Sequence, residues 1–287
     1  MKAIIRSAGI LVLPFLLAAC ETAMVGSVAE DSSSMSRQYM AVTDARLQNP
    51  EAENWLMFRR TYDGWGYSPL DDIDADNVSD LKPVWSLSTG LTEGHQSPPI
   101  VNNGIMYITT PLNHVLAIDA ASGDGLWEYS RQMPFDISLI HPTNRGVALY
   151  GNKLYMATSD ASVVALDAMT GEVVWEKAVA NYRNGYYMTL APLVADGKIM
   201  VGVSGGERGI RGFITALDAE SGDELWKTYT IPGPGEMGHD TWTDAPPVSQ
   251  ASSVQVSWPI SPTKRSVMIL NASAISDGCS CMPDASA

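Results

Sequence analysis

Short apolar runs, each preceded by a polar turn dipeptide, recur along the middle of this chain. Residues 105–110 (IMYITT), 153–157 (KLYMA) and 198–203 (KIMVGV) follow the dipeptides Asn103-Gly104, Gly151-Asn152 and Asp196-Gly197. Such dipeptides between β-rich runs are the strongest short-range signal for a β-hairpin. The pattern therefore predicts an all-β chain built from successive hairpins.

An eleven-residue motif follows each of these hairpins. Ala117–Trp127 reads AIDAASGDGLW, Ala165–Trp175 reads ALDAMTGEVVW, and Ala216–Trp226 reads ALDAESGDELW. In each copy a short apolar strand leads into an Asp, whose carboxylate can accept backbone N–H bonds from the turn, and a Gly supplies the position with positive φ. The Trp that ends the motif has a large apolar face, which can lie between neighbouring units.

The spacing of the motif indicates a β-propeller. The three tryptophans are 48 and 51 residues apart, which is the length of a four-stranded propeller blade. Trp85, in the run LKPVWSLSTG, is predicted to end a preceding blade. At most four blades are visible, so we predict an incomplete propeller over residues 51–243.

Charge and composition exclude some classes of function. The 287 residues carry a formal net charge of −14, with no basic patch, so no nucleic-acid partner is expected. The four histidines are scattered without metal-ligand spacing, which argues against a structural zinc site. With 45% hydrophobic residues, the chain can bury a substantial core.

The first 20 residues have the pattern of a secretory signal: a basic start, an apolar run at 10–17, and a Leu17–Cys20 ending (LAAC). This ending resembles the lipobox of bacterial lipoproteins, and the resemblance implies that Cys20 is lipidated. The alternative is an ordinary cleaved signal with an incidental Cys. Residues 21–50 are predicted to be a flexible tether. We therefore expect a periplasmic protein held to the membrane by a lipid anchor, without a membrane span.

Residues 244–287 differ in character from the blades. They contain no blade motif and no hairpin dipeptide, and they are rich in Ser and Pro. One interpretation is that the native reading frame is lost or replaced near this point. A genuine linker or interaction tail is the other.

Two segments depart from the blade pattern in ways that a structural repeat does not require. His141–Gly146 reads HPTNRG, and Ser204–Gly212 reads SGGERGIRG. The glycines of the second segment allow the backbone to approach a ligand closely. They surround Glu207, whose carboxylate is a hard oxygen ligand suited to Ca²⁺. These residues predict a pocket lined by Glu and Arg at one end of the propeller.

Three segments, Asn144–Gly146 (NRG), Thr189–Pro192 (TLAP) and Ser204–Gly212, resemble those of pyrroloquinoline-quinone (PQQ) dependent alcohol dehydrogenases, the quinoproteins. The resemblance covers roughly two thirds of the chain, from Asn54 to Thr243. It implies an eight-bladed propeller in which Glu207 is a Ca²⁺ ligand and Arg145 donates to the quinone oxygens. It also implies a set of contacts to the cofactor carboxylates, made by Gln96, Thr189, Ser204, Gly205 and Gly206.

The reaction implied by the resemblance is hydride removal from a small or polymeric alcohol onto PQQ, which gives an aldehyde or a ketone. Electrons would then pass to a cytochrome c or a membrane quinone. The family's general-base Asp lies downstream of Thr243, where nothing in this chain matches it. No catalytic residue is therefore assigned, and the chain is expected to be a truncated form.

Other interpretations of the same residues remain open. Arg145 could be an inter-blade salt-bridge partner, Glu207 a solvated loop acid, and Thr189 a plain strand hydroxyl. A different class of protein also carries PQQ-like repeats: lipid-anchored propeller scaffolds that assemble outer-membrane proteins without a cofactor. Such a scaffold needs neither the Asn-Arg-Gly segment nor the Gly-Gly-Glu segment, so their presence favours the enzyme family.

Overall fold

The computed structural model describes residues 39–241, which contain three four-stranded antiparallel sheets with their strands in chain order. The first sheet is β1 (Ile100–Asn102), β2 (Ile105–Thr110), β3 (His114–Asp119) and β4 (Gly125–Ser130); the second is β5 (Val147–Tyr150), β6 (Lys153–Ala157), β7 (Ser162–Asp167) and β8 (Val173–Ala178); the third is β9 (Leu193–Ala195), β10 (Lys198–Gly202), β11 (Phe213–Asp218) and β12 (Glu224–Tyr229). These sheets are the predicted blades. In residues 39–241 they do not close a ring.

Helix is scarce in the described part of the chain. It consists of α1 (Asp44–Gln48) and of single 3₁₀ turns at Val78–Asp80, Tyr182–Asn184, Gly206–Arg208 and His239–Thr241. Between residues 39 and 241 no helix is long and apolar enough to cross a membrane. The predicted signal sequence, Cys20 and the Ser/Pro-rich residues 244–287 lie outside the described residues.

The motif turns form as predicted. The Asp119 carboxylate accepts the backbone N–H of Ala121 at 2.8 Å and of Ser122 at 3.0 Å. Asp167 and Asp218 make the same pair of bonds in the second and third blades, at 2.9 Å each. The motif glycines have positive φ in all three blades, at 80°, 75° and 73°. Each turn is therefore fixed by its own residues.

The motif tryptophans join one blade to the next. Trp127 donates from Nε1 to the carbonyl of Ala168 at 3.2 Å, and Trp175 donates to the carbonyl of Ala219 at 3.1 Å. The indole of Trp127 lies so close to Gly171 that a Cβ there would be 2.5 Å from the ring. The motif Gly is therefore needed twice, for its φ and for the approach of the preceding blade.

Trp85 makes the same contact at the start of the series. Its Nε1 donates to the carbonyl of Ala120 at 3.1 Å, and its ring lies against Gly123. Residues 81–90 form no strand, so the predicted preceding blade is represented among the described residues only by this docked segment. Trp85 therefore makes this contact although it does not lie on a strand, unlike Trp127 on β4 and Trp175 on β8.

The segment before β1 contacts all three sheets. Val42 pairs with Gly151 and Trp55 with Val101 in isolated antiparallel bridges, while Asp44 accepts the backbone N–H of Asp196 at 2.8 Å. Residues 21–50 were predicted to be a flexible tether. Within that range, residues 39–50 are instead packed against the blades. Val42 and Leu47 are buried, and neither belongs to a repeated motif, so no pattern in the sequence indicated this packing.

The two ends of the sheets carry different connections. The first hairpin and the motif turn of each blade lie at one end, where Gly151 and Asp196 meet the N-terminal segment. In an antiparallel meander the remaining connections must lie at the other end. These are the segments between blades (131–146 and 179–192) and the loops after the second strands (111–113, 158–161 and 203–212). With Gln96 just ahead of β1, every predicted site residue lies at this second end.

Candidate functional site

Arg145 and Thr189 are brought together directly. The Arg145 guanidinium donates through Nη1 to the Thr189 hydroxyl, and the Arg145 backbone N–H donates to the Thr189 carbonyl at 2.9 Å. Thr189 is buried, whereas Arg145 is exposed. Within residues 39–241 the other guanidinium nitrogens of Arg145 make no hydrogen bond. Arg145 is therefore held at one nitrogen and can donate to a ligand with the others.

Asn144 determines the direction in which Arg145 points. Its side chain is buried and donates to the Ala157 carbonyl at 2.9 Å and to Asn113 at 3.1 Å, while it accepts the Gly146 N–H at 3.0 Å. A buried amide with its donor and acceptor both satisfied fixes the local backbone. From the sequence, Asn144 was predicted only as part of the Asn-Arg-Gly motif. Its role is to anchor the turn that presents Arg145.

The glycine-rich loop starts beside the segment that carries Thr189. Ser204 and Tyr187 form an isolated antiparallel bridge, with backbone N–H to carbonyl distances of 2.8 and 3.2 Å. Gly205 follows with a φ of 129°, and a Cβ there would be 2.3 Å from the Gly185 carbonyl oxygen. This position accepts only Gly, because both its φ and its space exclude a side chain.

The loop presents donors that have no protein partner. In the described part of the chain, the Gly205 and Gly206 backbone N–H groups and the Ser204 hydroxyl make no hydrogen bond. Gly206 is exposed, and a Cβ there would meet nothing within 4 Å. Successive free N–H groups on a glycine-rich turn are suited to binding an anion such as a carboxylate.

Glu207 carries the carboxylate of this loop. Its Oε1 accepts a 2.6 Å hydrogen bond from the Tyr187 hydroxyl, and its Oε2 has no hydrogen-bond partner in residues 39–241. The bond from Tyr187 lowers the pKa of Glu207, and its own backbone N–H and the charge of Arg208 lower it further. Glu207 is therefore ionised at neutral pH, with one oxygen available to a cation.

Gln96 is placed less firmly than the other predicted residues. It is exposed, and its side chain makes no hydrogen bond within the described residues. The next residues, Ser97 and Pro98, lie against Gly146, so Gln96 is on a segment that borders the Arg145 turn. Gln96, Asn144 and Thr189 each precede the first strand of their blade, which explains why they meet at one end.

A cavity of about 210 Å³ adjoins the loop. Arg208 lines it next to Glu207 in the chain, together with Tyr187, the hydrogen-bond partner of Glu207; Tyr182, Tyr186 and Ser138 line other parts of it. Arg208 reaches the connection between the first and second blades, where it donates to the Ser138 carbonyl at 2.8 Å. The cavity therefore shares Tyr187 and Arg208 with the surroundings of Glu207, although Glu207 itself does not line it.

A buried ion pair joins two blades at the same end of the sheets. Arg131 donates to both carboxylate oxygens of Asp160, at 2.8 and 2.6 Å, and to the Glu176 carboxylate at 2.8 Å. Burial alone would raise the pKa of Asp160, but hydrogen bonds from Arg131 and Thr158 hold it below the ordinary Asp value. The pair is a structural contact between the first and second blades, and sequence analysis did not identify it.

These residues fit a bound PQQ, a compound with several carboxylates and carbonyl oxygens. Arg145 offers a fixed positive charge, the Ser204–Gly206 turn offers free donors, and Glu207 offers one hard oxygen ligand. Ca²⁺ takes six to eight oxygen ligands, and residues 39–241 contain no group of three His, Cys, Asp or Glu side chains that could hold an ion. Glu207 would therefore bind the metal only together with oxygens from the cofactor, water or other residues.

Comparisons with known proteins identify the family of this chain. Residues 55–261 match the family model of the PQQ glucose/ethanol/alcohol dehydrogenase β-propeller domain. The matched range extends past Thr243, the last residue of the resemblance predicted from the sequence, to residue 261. It covers well over half of the chain.

Curated relatives and solved structures show the same family. The chain is 44% identical over 179 residues to the quinoprotein alcohol dehydrogenase PedH of Pseudomonas putida, covering 61% of this chain and 30% of PedH. It is 38% identical over 201 residues to an alcohol dehydrogenase (quinone) dehydrogenase subunit of Komagataeibacter europaeus, covering 67% and 27%. The structure of quinohemoprotein alcohol dehydrogenase ADHIIG from Pseudomonas putida HK5 matches with a TM-score of 0.63 at 39% identity, covering 67% and 29%.

A europium-containing methanol dehydrogenase matches with a TM-score of 0.62 at 35% identity, covering 66% of this chain and 34% of that one. The chain thus spans about 30% of the length of the curated relatives named above. The family model, the curated relatives and the three four-stranded sheets all indicate the same β-propeller family. This chain therefore belongs to the family of PQQ-dependent (quinoprotein) alcohol dehydrogenases.

Proposed function

We propose that this chain binds PQQ and Ca²⁺ at the end of the sheets that carries Arg145, Thr189 and the 204–207 loop, and serves in the oxidation of an alcohol to an aldehyde or a ketone. One observation carries the proposal. A fixed Arg, two free backbone donors and a carboxylate with one free oxygen lie on adjoining segments at one end of the blades. A scaffold propeller has no need of this set, and no contact within residues 39–241 favours that alternative.

Each residue of the set has a distinct task in the proposal. When bound, PQQ would supply a hydride acceptor and Ca²⁺ would supply a Lewis acid. Arg145 orients the quinone oxygens through charge-assisted hydrogen bonds. Thr189 holds Arg145 in place, and Ser204, Gly205 and Gly206 bind cofactor carboxylates. Glu207 supplies negative charge to the metal, and Gln96 contacts the cofactor from the neighbouring segment.

The proposal extends to substrate, electron acceptor and location. The cavity of about 210 Å³ lined by Tyr187 and Arg208 has room for a small alcohol or for one end of a polymeric alcohol. We place the electron acceptor among cytochromes c and membrane quinones. The location is the periplasm, with attachment to a membrane through a lipid on Cys20.

The proposal is tested by the affinity of the chain for PQQ in the presence of Ca²⁺, measured by the quenching of tryptophan fluorescence. Arg145→Ala removes a charged hydrogen-bond donor, which is worth about 1.5–3 kcal/mol. We therefore expect the affinity for PQQ to fall by about tenfold to a hundredfold. Arg183→Ala is the matched control, because Arg183 is an exposed Arg at the same end and pairs with Asp136 at 2.9 Å. Equal affinities for the two variants would contradict the role of Arg145.

A further inference from the structure

Glu207 is placed on an exposed loop between glycines, where a side chain has little to fix its rotamer. A carboxylate that is free to rotate loses conformational entropy when it binds a metal ion. A second group that held one of its oxygens would remove much of that cost. The structure contains such a group in Tyr187.

Resting on the proposed function, we propose that Tyr187 is a positioning residue for the metal site, which holds Glu207 so that Oε2 faces the ion. The Tyr187 hydroxyl donates to Glu207 Oε1 at 2.6 Å, a distance typical of a strong hydrogen bond to a charged acceptor. Ligating carboxylates are commonly hydrogen-bonded by a neighbouring residue in this way, and such partners tune metal affinity. Tyr187 does not itself touch the ion in this proposal.

Tyr187 is suited to the task because its own backbone is fixed. It exchanges two backbone hydrogen bonds with Ser204, and Gly185 lies against Gly205 just beside them. A Cβ on Gly205 would be 2.3 Å from the Gly185 oxygen, so the two segments touch without intervening side chains. The bridge between Tyr187 and Ser204 thus does two things. It shapes the Ser204–Gly206 turn, and it positions the Tyr187 side chain for its bond to Glu207.

The neighbouring tyrosine provides a matched comparison. The Tyr186 hydroxyl donates to the Arg211 carbonyl at 3.2 Å, and its ring packs against Phe213 with centroids 5.8 Å apart. Tyr186 therefore stabilises the same loop through one hydroxyl bond, but it does not touch Glu207. Removal of either hydroxyl costs the loop one hydrogen bond, and only removal of the Tyr187 hydroxyl frees the carboxylate.

The test is a calorimetric titration of the full chain, saturated with PQQ, with Ca²⁺. Tyr187→Phe is expected to weaken Ca²⁺ binding by about tenfold to a hundredfold, the range found for such supporting partners. Tyr186→Phe is expected to bind Ca²⁺ as the unsubstituted chain does, and Glu207→Ala to lose specific binding. Thermal unfolding without Ca²⁺ should be equal for the two Phe variants, which separates positioning from loop stability.

Three results would overturn the inference. Equal Ca²⁺ affinity for Tyr187→Phe and the unsubstituted chain, with binding lost in Glu207→Ala, would exclude the positioning role and leave the proposed function standing. An equal loss of affinity in Tyr186→Phe would show that loop stability, rather than the contact with Glu207, is responsible. Absence of Ca²⁺ binding in the unsubstituted chain would overturn the proposed function and this inference together.

Discussion

Replacement of Trp175 by alanine is expected to lower the free energy of unfolding by about 3–5 kcal/mol, the cost usual for truncating a packed Trp. Three contacts are lost at once. The indole donates to the Ala219 carbonyl at 3.1 Å, lies against Gly222, and packs on Tyr155 with ring centroids 5.8 Å apart. Because these partners belong to the second and third blades, the variant loses inter-blade packing and leaves a cavity.

The measurement is urea-induced unfolding followed by far-UV circular dichroism. Trp65→Ala is the matched control, because the Trp65 side chain is 78% exposed and a surface substitution of this kind changes stability by less than about 0.5 kcal/mol. Equal unfolding midpoints for the two variants would mean that the motif tryptophans do not hold the blades together.

Replacement of Arg131 by methionine is expected to cost about 3–5 kcal/mol of stability at neutral pH, because it leaves the Asp160 carboxylate buried without its ion-pair partner. Arg131 is 9% exposed and Asp160 is 6% exposed, so water cannot replace the lost bonds. Glu176→Gln is the control. It removes the exposed member of the same network, whose loss is worth about 1 kcal/mol or less.

The effect of Arg131→Met has a predicted dependence on pH. The pKa of Asp160 is lower in the folded chain than in the unfolded chain, so the ion pair contributes fully above the ordinary Asp pKa of about 4. The contribution is lost as the pH falls through the lowered pKa. The difference in unfolding free energy between the parent and Arg131→Met should therefore shrink as the pH falls below about 4. A difference that stays constant as the pH falls from about 4 through the acidic range would contradict the assigned ion pair.

Much of the fold could be predicted from the sequence, because the signals that specify it are local and repeated. Asp119 fixes its turn with backbone groups two and three residues away, and the same spacing recurs in the other two blades. The motif Gly and Trp lie in one short segment, although they contact different blades. The motifs of Arg145 and Glu207 marked them as candidates in the sequence. Because successive strands run in opposite directions, both residues lie at the same end of the sheets.

The remaining contacts depend on residues that carry no local signal. Tyr187 lies 20 residues before Glu207, and their contact follows from the bridge between Tyr187 and Ser204. Arg131 meets Asp160 only because two blades lie side by side. In the same way, the burial of Val42 depends on its bridge to Gly151, which lies in a hairpin more than 100 residues away in the sequence.

The central claim is that PQQ binds at this end of the propeller together with a metal ion that Glu207 holds. The most direct measurement is the affinity for PQQ with Ca²⁺ and with a chelator, in the unsubstituted chain and in Glu207→Gln, which keeps the shape of the side chain and removes its charge. We predict that Ca²⁺ strengthens PQQ binding by about tenfold or more in the unsubstituted chain and has no effect in the variant. A PQQ affinity that is the same with and without Ca²⁺, or a Ca²⁺ effect that persists in Glu207→Gln, would contradict the account.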